Sequence, residues 1–504
     1  MKMKKKILSV AVLVAMGAGT AQAVNLSADG TGQVILFPYF TAQGNEETYL
    51  QVVNTHNEGK AVKIRFREAY NSREVLAFNI YLSPYDVWTG VVLGVGDGAG
   101  IATRDTSCTA PDLTDTPVAF RTSLLQNDNN GDITGAERTR EGYVEIIEMG
   151  VVTQTGSVVD ADNDGHADYV HIGGVPENCE TMINNWRPGG AWAQNPASGI
   201  TAPSGGLFGA LSVINVSSGT QVSVNATSLE AVFASQQHAD PGTNNPTLAN
   251  ADATSVVMLN NGPAINGQGV QVFEDSWISS TTYAGINAVS ATLMAQSVMN
   301  GYSVNPANEA ESAWVVTFPT KWAYADQDEI QARTGKTIAV APFTDTFQDR
   351  PLSASLWDNE ACEKFDLVAW DREEKETTTT GDVDFSPARD NSKYLCYEVN
   401  VIQFEDSSVF DSANTTFHAN GMPGKNGWMS LGFNYGQSMG ASAYSVNDHG
   451  NVYTGLPVIG FKAKVLGNGQ LEGAGSYASA VDHVYERIVS GVSSGASVTA
   501  YSQN

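Results

Sequence analysis

Ala61-Val62-Lys63-Ile64-Arg65-Phe66-Arg67 alternates strictly between apolar and basic residues from Val62 onward. Successive side chains of an extended chain point to opposite faces, so Val62, Ile64 and Phe66 share one side and Lys63, Arg65 and Arg67 the other. A period of two predicts a β-strand. The flanking segments read the same way: Val34 to Phe40 is a short apolar run, and Tyr49 to Asn54 follows a polar turn at Gly44-Asn45. Glu74 to Leu82 and Asp86 to Val92 come after it. Short strands separated by turn signals roughly every ten residues predict an antiparallel β-sandwich of immunoglobulin-like type.

Beyond this region the pattern stays mainly β. Phe208 to Asn215, Gln221 to Ala226, Ala313 to Pro319, Thr337 to Pro342, Phe365 to Asp371, Leu395 to Phe404 and Leu456 to Leu466 read as strands. Ser228 to Gln237 and Ala284 to Met299 have helical spacing. Trp186 to Gly206 contains three Pro and five Gly and marks a linker. The expected division is therefore a β-sandwich domain over 24–205 and a second β-rich domain with a few helices over 206–504. No fixed-period repeat is visible, so the sequence gives no support to a solenoid or a propeller.

The first 23 residues read as an export signal. Lys2, Lys4, Lys5 and Lys6 precede the apolar run Ile7 to Met16, and Ala21-Gln22-Ala23 is a small-x-small cleavage site. No later run approaches the length of a membrane helix. Removing those four lysines from 27 basic residues leaves 23 against 54 acidic ones, a charge near −31. Such a chain repels nucleic acid and attracts cations.

Asp160-Ala161-Asp162-Asn163-Asp164-Gly165-His166-Ala167-Asp168 is the sharpest chemical signal. Alternate carboxylates on a glycine-turned loop supply the hard oxygens that Ca²⁺ requires, with Asp160, Asp162, Asp164 and Asp168 as side-chain ligands and a backbone carbonyl near His166 as another. The twelfth position is His171 where an EF-hand has Glu, so the loop belongs to another class. Asp128, Asn130 and Asp132 repeat the spacing less completely and give a weaker second candidate. Cys108, Cys179, Cys362 and Cys396 suit an oxidising compartment, and proximity favours Cys108–Cys179 and Cys362–Cys396 among three connectivities. The first bridge would enclose the acidic loop and contribute roughly 3–4 kcal/mol in the chain-entropy model. The second would clamp a hairpin whose tip is the polar stretch from Asp371 to Gly381.

Gly436-Gln437-Ser438-Met439-Gly440 matches G-x-S-x-G, with His449 or His483, each preceded by Asp, as partners for a Ser438 nucleophile. The neighbourhood lacks the strand–turn–helix alternation that the motif requires, and a Gly-rich chain meets it by chance. The seven His form neither HxH nor HExxH. Trp186, Trp192, Trp322 and Trp428 are candidates for stacking on sugars.

Three segments, Gly32 to Phe40, Leu82 to Thr89 and Gly455 to Phe461, resemble a group of uncharacterised exported proteins of Gram-negative bacteria. The resemblance implies export and a surface or periplasmic life; no activity comes with it. The combined expectation is a secreted, cell-surface or periplasmic structural or adhesion protein stabilised by Ca²⁺, whose partner is a protein or glycan and whose strand edges allow self-association. A carbohydrate-binding or carbohydrate-degrading protein and a secreted serine hydrolase are the alternatives.

Overall fold

The computed structural model describes residues 23–113, 117–125, 135–265, 268–277, 284–346, 361–376, 383–386, 393–411, 415–433, 443–444, 447–467, 476–491 and 497–502. The expected signal segment, apart from Ala23, lies outside them. Among the described residues the chain is mainly β, with four large sheets, several two-stranded ribbons and few helices.

The alternating stretch forms strand Gly59–Glu68, near the middle of the first sheet between Glu141–Val152 and Glu74–Leu82. That eight-stranded sheet continues through Val34–Thr41 and Thr227–Glu230 to Asn25–Leu26 on one side and ends at Cys108–Ala110 on the other. A six-stranded second sheet runs in the order Thr220–Asn225, Leu207–Asn215, Glu46–Asn54, Val87–Val95, Gly98–Ala102, Val118–Ala119. Val62, Ile64 and Phe66 from the first sheet meet Leu50, Val52, Trp88 and Leu211 from the second in one core. Each such side chain contributes roughly 1.5–3 kcal/mol on burial.

The expected division at 205/206 has strand pairing across it. Leu207–Asn215 pairs along its whole length with Glu46–Asn54, and Thr227–Glu230 pairs with Val34–Thr41. The remaining sheets lie later in the chain: a seven-stranded one that includes Ser297–Ser303, Asn426–Gly432 and Val484–Gly491, and a six-stranded one that includes Ala310–Thr317, Val399–Phe404 and Ile459–Leu466. Its strand Ala310–Thr317 is largely buried on both faces. Ala313 and Val315 enter the core of the first two sheets, while Trp314 and Val316 enter a second core with Val298, Met429 and Leu431.

Several local expectations change. Ser228 to Gln237 carries a strand, Thr227–Glu230, because Leu229 is buried in the second core and paired with Val34 and Leu26. The helix at Ala284 stops at Leu293, and Ser297–Ser303 is a strand between two others. Thr337 to Pro342 forms no strand; a helix at Gln327–Thr334 precedes it, started by Asp326, whose Oδ1 accepts from Asp328 and Glu329 N–H, and ended by Gly335 at φ +69°.

Candidate functional site

The Glu141–Val152 strand leads into the excursion that carries the acidic loop. Asn163 at φ +59° and Gly165 at φ +97° turn the backbone back on itself. One carboxylate oxygen from each of Asp160, Asp162 and Asp164 thereby comes within 4.8 Å of the others. Asp160 is buried at 4 % exposure, with Oδ1 accepting from Asp164 N–H at 3.2 Å and Oδ2 from Gly165 N–H at 3.1 Å. Asp162 and Asp164 are exposed and accept from Asp164 and His166 N–H.

Asp168, expected as a fourth ligand, stands apart from this set. It is buried, and its Oδ2 accepts from Ala161 N–H at 3.1 Å, bracing the two ends of the loop. A carboxylate with no place in the expected ligand set, Glu177, approaches instead. Its pKa is raised, first by partial desolvation and then by the charges of Asp164 and Asp162. Glu177 lies close to Cys179, whose disulfide with Cys108 ties this arm to the first sheet. Val159, Ala167, Tyr169, Met182 and Trp192 form a satellite core beneath. Among the described residues no Lys or Arg pairs with Asp160, Asp162, Asp164 or Glu177. The arrangement is a concentration of negative oxygen of the kind that could hold a hard cation. His171, at the position where an EF-hand has Glu, bonds Ser83 Oγ through Nδ1 at 2.7 Å.

Cys362 and Cys396 form the second disulfide. The clamped hairpin is short: Glu363–Lys364 pairs with Tyr394–Leu395, while Asp366–Asp371 leaves it to pair with Asn426–Gly432.

Asp128, Asn130, Asp132 and Ser438 lie outside the described residues. His449 is exposed, with Nδ1 3.1 Å from Asp448 and 3.3 Å from buried Asp275, and Asp448 is the main cause of its raised pKa. Asp275 also accepts from Asn451 Nδ2 at 2.9 Å and from the Tyr453 hydroxyl. His483 is fully buried against Trp314, with Nε2 3.0 Å from the Val315 carbonyl oxygen and Nδ1 3.3 Å from Asn300 Nδ2. Burial pushes its pKa down to about 3. Both ring nitrogens are engaged, which leaves neither for a serine. Of the four tryptophans, Trp192 and Trp322 are buried and Trp186 donates to Tyr81; Trp428 is 41 % exposed and stacks on Trp370 with centroids 4.1 Å apart.

The basic face of Gly59–Glu68 is a charge layer buried in the molecule. Arg65 pairs with Glu74 at 2.8 Å and Arg67 with Glu145 at 2.9 Å. On the opposite face, beside Val62, Lys60 pairs with Glu148 at 2.8 Å, both side chains inaccessible. Arg138 forks onto Glu68 at 2.7 and 3.0 Å. The segment around 240–246 closes over the layer and takes hydrogen bonds from Lys63 through the Asp240 and Pro241 carbonyls and from Arg65 through that of Pro246. No helix among the described residues is long and apolar enough to cross a membrane. No protein-family model, curated protein or solved structure matches this chain.

Proposed function

We propose that the chain is an exported, calcium-stabilised structural or adhesion protein acting at the cell surface or outside the cell. The observation that carries the reading is the convergence of Asp160, Asp162 and Asp164 within 4.8 Å on a disulfide-tethered loop. Ca²⁺ there would neutralise a concentration of charge that no Lys or Arg among the described residues offsets, and would stiffen the excursion for presentation to a protein or glycan partner. Two disulfides fit an oxidising compartment, as do the leader-like first 23 residues. We read the two facing sheets of the first part as an immunoglobulin-like sandwich elaborated by extra strands, a scaffold that supports loop-borne binding.

Calcium titration by calorimetry, with melting temperature followed in parallel, tests this on the wild type and on Asp162→Ala/Asp164→Ala. Saturable binding and a calcium-dependent rise in melting temperature are expected, both absent from the variant. A wild type that binds nothing at millimolar calcium would reduce the loop to a solvated acidic turn.

A further inference from the structure

Strand Gln268–Ser276 and the turn that leads into strand Asn451–Thr454 bring together a second set of metal-capable side chains, different in chemistry from the acidic loop. One ligand atom each from Asp275, Asp448 and His449 lies within 4.8 Å of the others. His449 Nδ1 stands 3.3 Å from Asp275 Oδ1 and 3.1 Å from Asp448 Oδ1. Ligands bound at about 2.0 Å to one tetrahedral ion are roughly 3.3 Å from one another, so these separations are close to those of neighbouring corners around a cation.

Hydrogen bonds from outside the trio hold it in place. Asp448 N–H donates to the Ser276 carbonyl at 3.0 Å, and Asp448 Oδ1 accepts from Ser276 N–H at 2.9 Å, which laces the turn to the end of the strand. Asn447 closes the turn on itself, its Oδ1 accepting from Asn451 N–H at 2.9 Å and its Nδ2 donating to the Asn451 carbonyl at 2.8 Å. Asp275 Oδ1 accepts from Asn451 Nδ2 at 2.9 Å, and Oδ2 accepts from the Tyr453 hydroxyl. Outer partners of this kind orient metal-binding carboxylates. Each of the two ligand oxygens takes one N–H and keeps a lone pair for an ion.

Charge points the same way. Asp275 is fully buried, and no Lys or Arg among the described residues pairs with it, although a buried carboxylate is costly without a counter-charge. One proton on His449 Nδ1 can be aimed at one of the two carboxylates; a divalent cation between the three groups neutralises both. His449 and Asp448 are exposed, which leaves a coordination position toward solvent. The imidazole selects the class of metal. Ca²⁺ takes oxygen ligands, whereas one imidazole with two carboxylates suits Zn²⁺ and its neighbours among the transition ions.

We propose that Asp275, Asp448 and His449 form a three-ligand site for a zinc-class divalent cation, which would fasten the hairpin of Thr254–Ile265 and Gln268–Ser276 to the seven-stranded sheet through strand Asn451–Thr454. The site is separate from the acidic loop and does not require that loop to hold calcium. The test is Zn²⁺ titration by calorimetry on the metal-free full chain, for the wild type, His449→Ala, Asp448→Asn and Asp162→Ala/Asp164→Ala, with visible spectra of the same proteins loaded with Co²⁺. Saturable Zn²⁺ binding is expected in the wild type and in the loop variant, weakened by about tenfold or more in His449→Ala and Asp448→Asn. The Co²⁺ bands of the wild type should be absent from His449→Ala. Both substitutions are at exposed positions, so melting temperatures without metal should not change. No Zn²⁺ binding by the wild type, binding undiminished in both site variants, or loss confined to the loop variant would each overturn the proposal, the last assigning the ion to the acidic loop instead.

Discussion

Charge is handled in opposite ways at the middle of the Glu141–Val152 strand and just beyond its end. Within the sheet, Lys60 meets Glu148 on one face and Arg65 and Arg67 meet Glu74 and Glu145 on the other, all buried and each sign answered by the other. In the loop that follows, Asp160, Asp162 and Asp164 meet one another, Glu177 and backbone N–H groups, with no Lys or Arg partner among the described residues. A charged face can thus be an internal element of a fold, complete in itself, or one left without counter-charge among the described residues. Desolvation makes the first kind intolerant of single changes and indifferent to salts; the second should respond to cations and tolerate substitution.

The largest effect is expected from opening the sheet layer. Glu148→Ala leaves Lys60 buried without its carboxylate and should cost about 3–5 kcal/mol in urea unfolding, whereas Lys60→Met/Glu148→Leu should be close to neutral. Equal losses in the two proteins would break the distinction between a matched and an unmatched charge. Next comes the tether of the loop: Cys108→Ser/Cys179→Ser should lower stability by roughly 3–4 kcal/mol and weaken calcium binding together. Loss of stability with unchanged calcium affinity would show that the loop orders itself without the bridge.

Calcium at a hundredfold excess over its dissociation constant should stabilise the wild type by about 2.7 kcal/mol and leave Asp162→Ala/Asp164→Ala unmoved, read from the urea midpoint. Glu46 offers a third and smaller case between the two extremes. Burial, then the charge of Asp411 and further that of Glu141, push its pKa up from 4.5 to about 8. The folded protein therefore binds a proton that the unfolded chain releases between pH 4.5 and 8, so stability from this group is present at low pH and is lost as pH rises through about 8. A fall in stability between pH 5 and 8 is expected, flattened in Glu46→Gln; a wild-type profile without that slope would show that Glu46 is hydrated.

Much of the first region was legible in sequence. The alternation at Val62 to Arg67 and its neighbours located five strands to within a few residues, because period two follows from backbone geometry alone. What alternation does not reveal is whether the polar side meets water. Here the cover comes from residues 240–246, far along the chain, and only the folded arrangement brings those carbonyls over Lys63 and Arg65. The acidic loop was visible as a spacing, yet Glu177 was not, since it returns through the arm that the disulfide secures. The Gln327–Thr334 helix had readable ends in Asp326 and Gly335, but its largely polar sequence carries no strong apolar period. Leu229 misled because one strand of four residues is too short for its period to outvote a helical one.

The sharing of core residues between early and late sheets has a bearing on how the protein is made. Strand Val34–Thr41 is buried throughout, with Ile35 and Phe37 in a core that includes Val315, Val401 and Phe461. Synthesis runs from the N-terminus, so this strand emerges long before the last of the residues that will cover it. Leu50, Val52 and Trp88 follow it closely and cover part of that face, while the contacts with Val315, Val401 and Phe461 span most of the chain and close slowly. The core that the first strands begin is therefore finished only by strands from the last third of the chain.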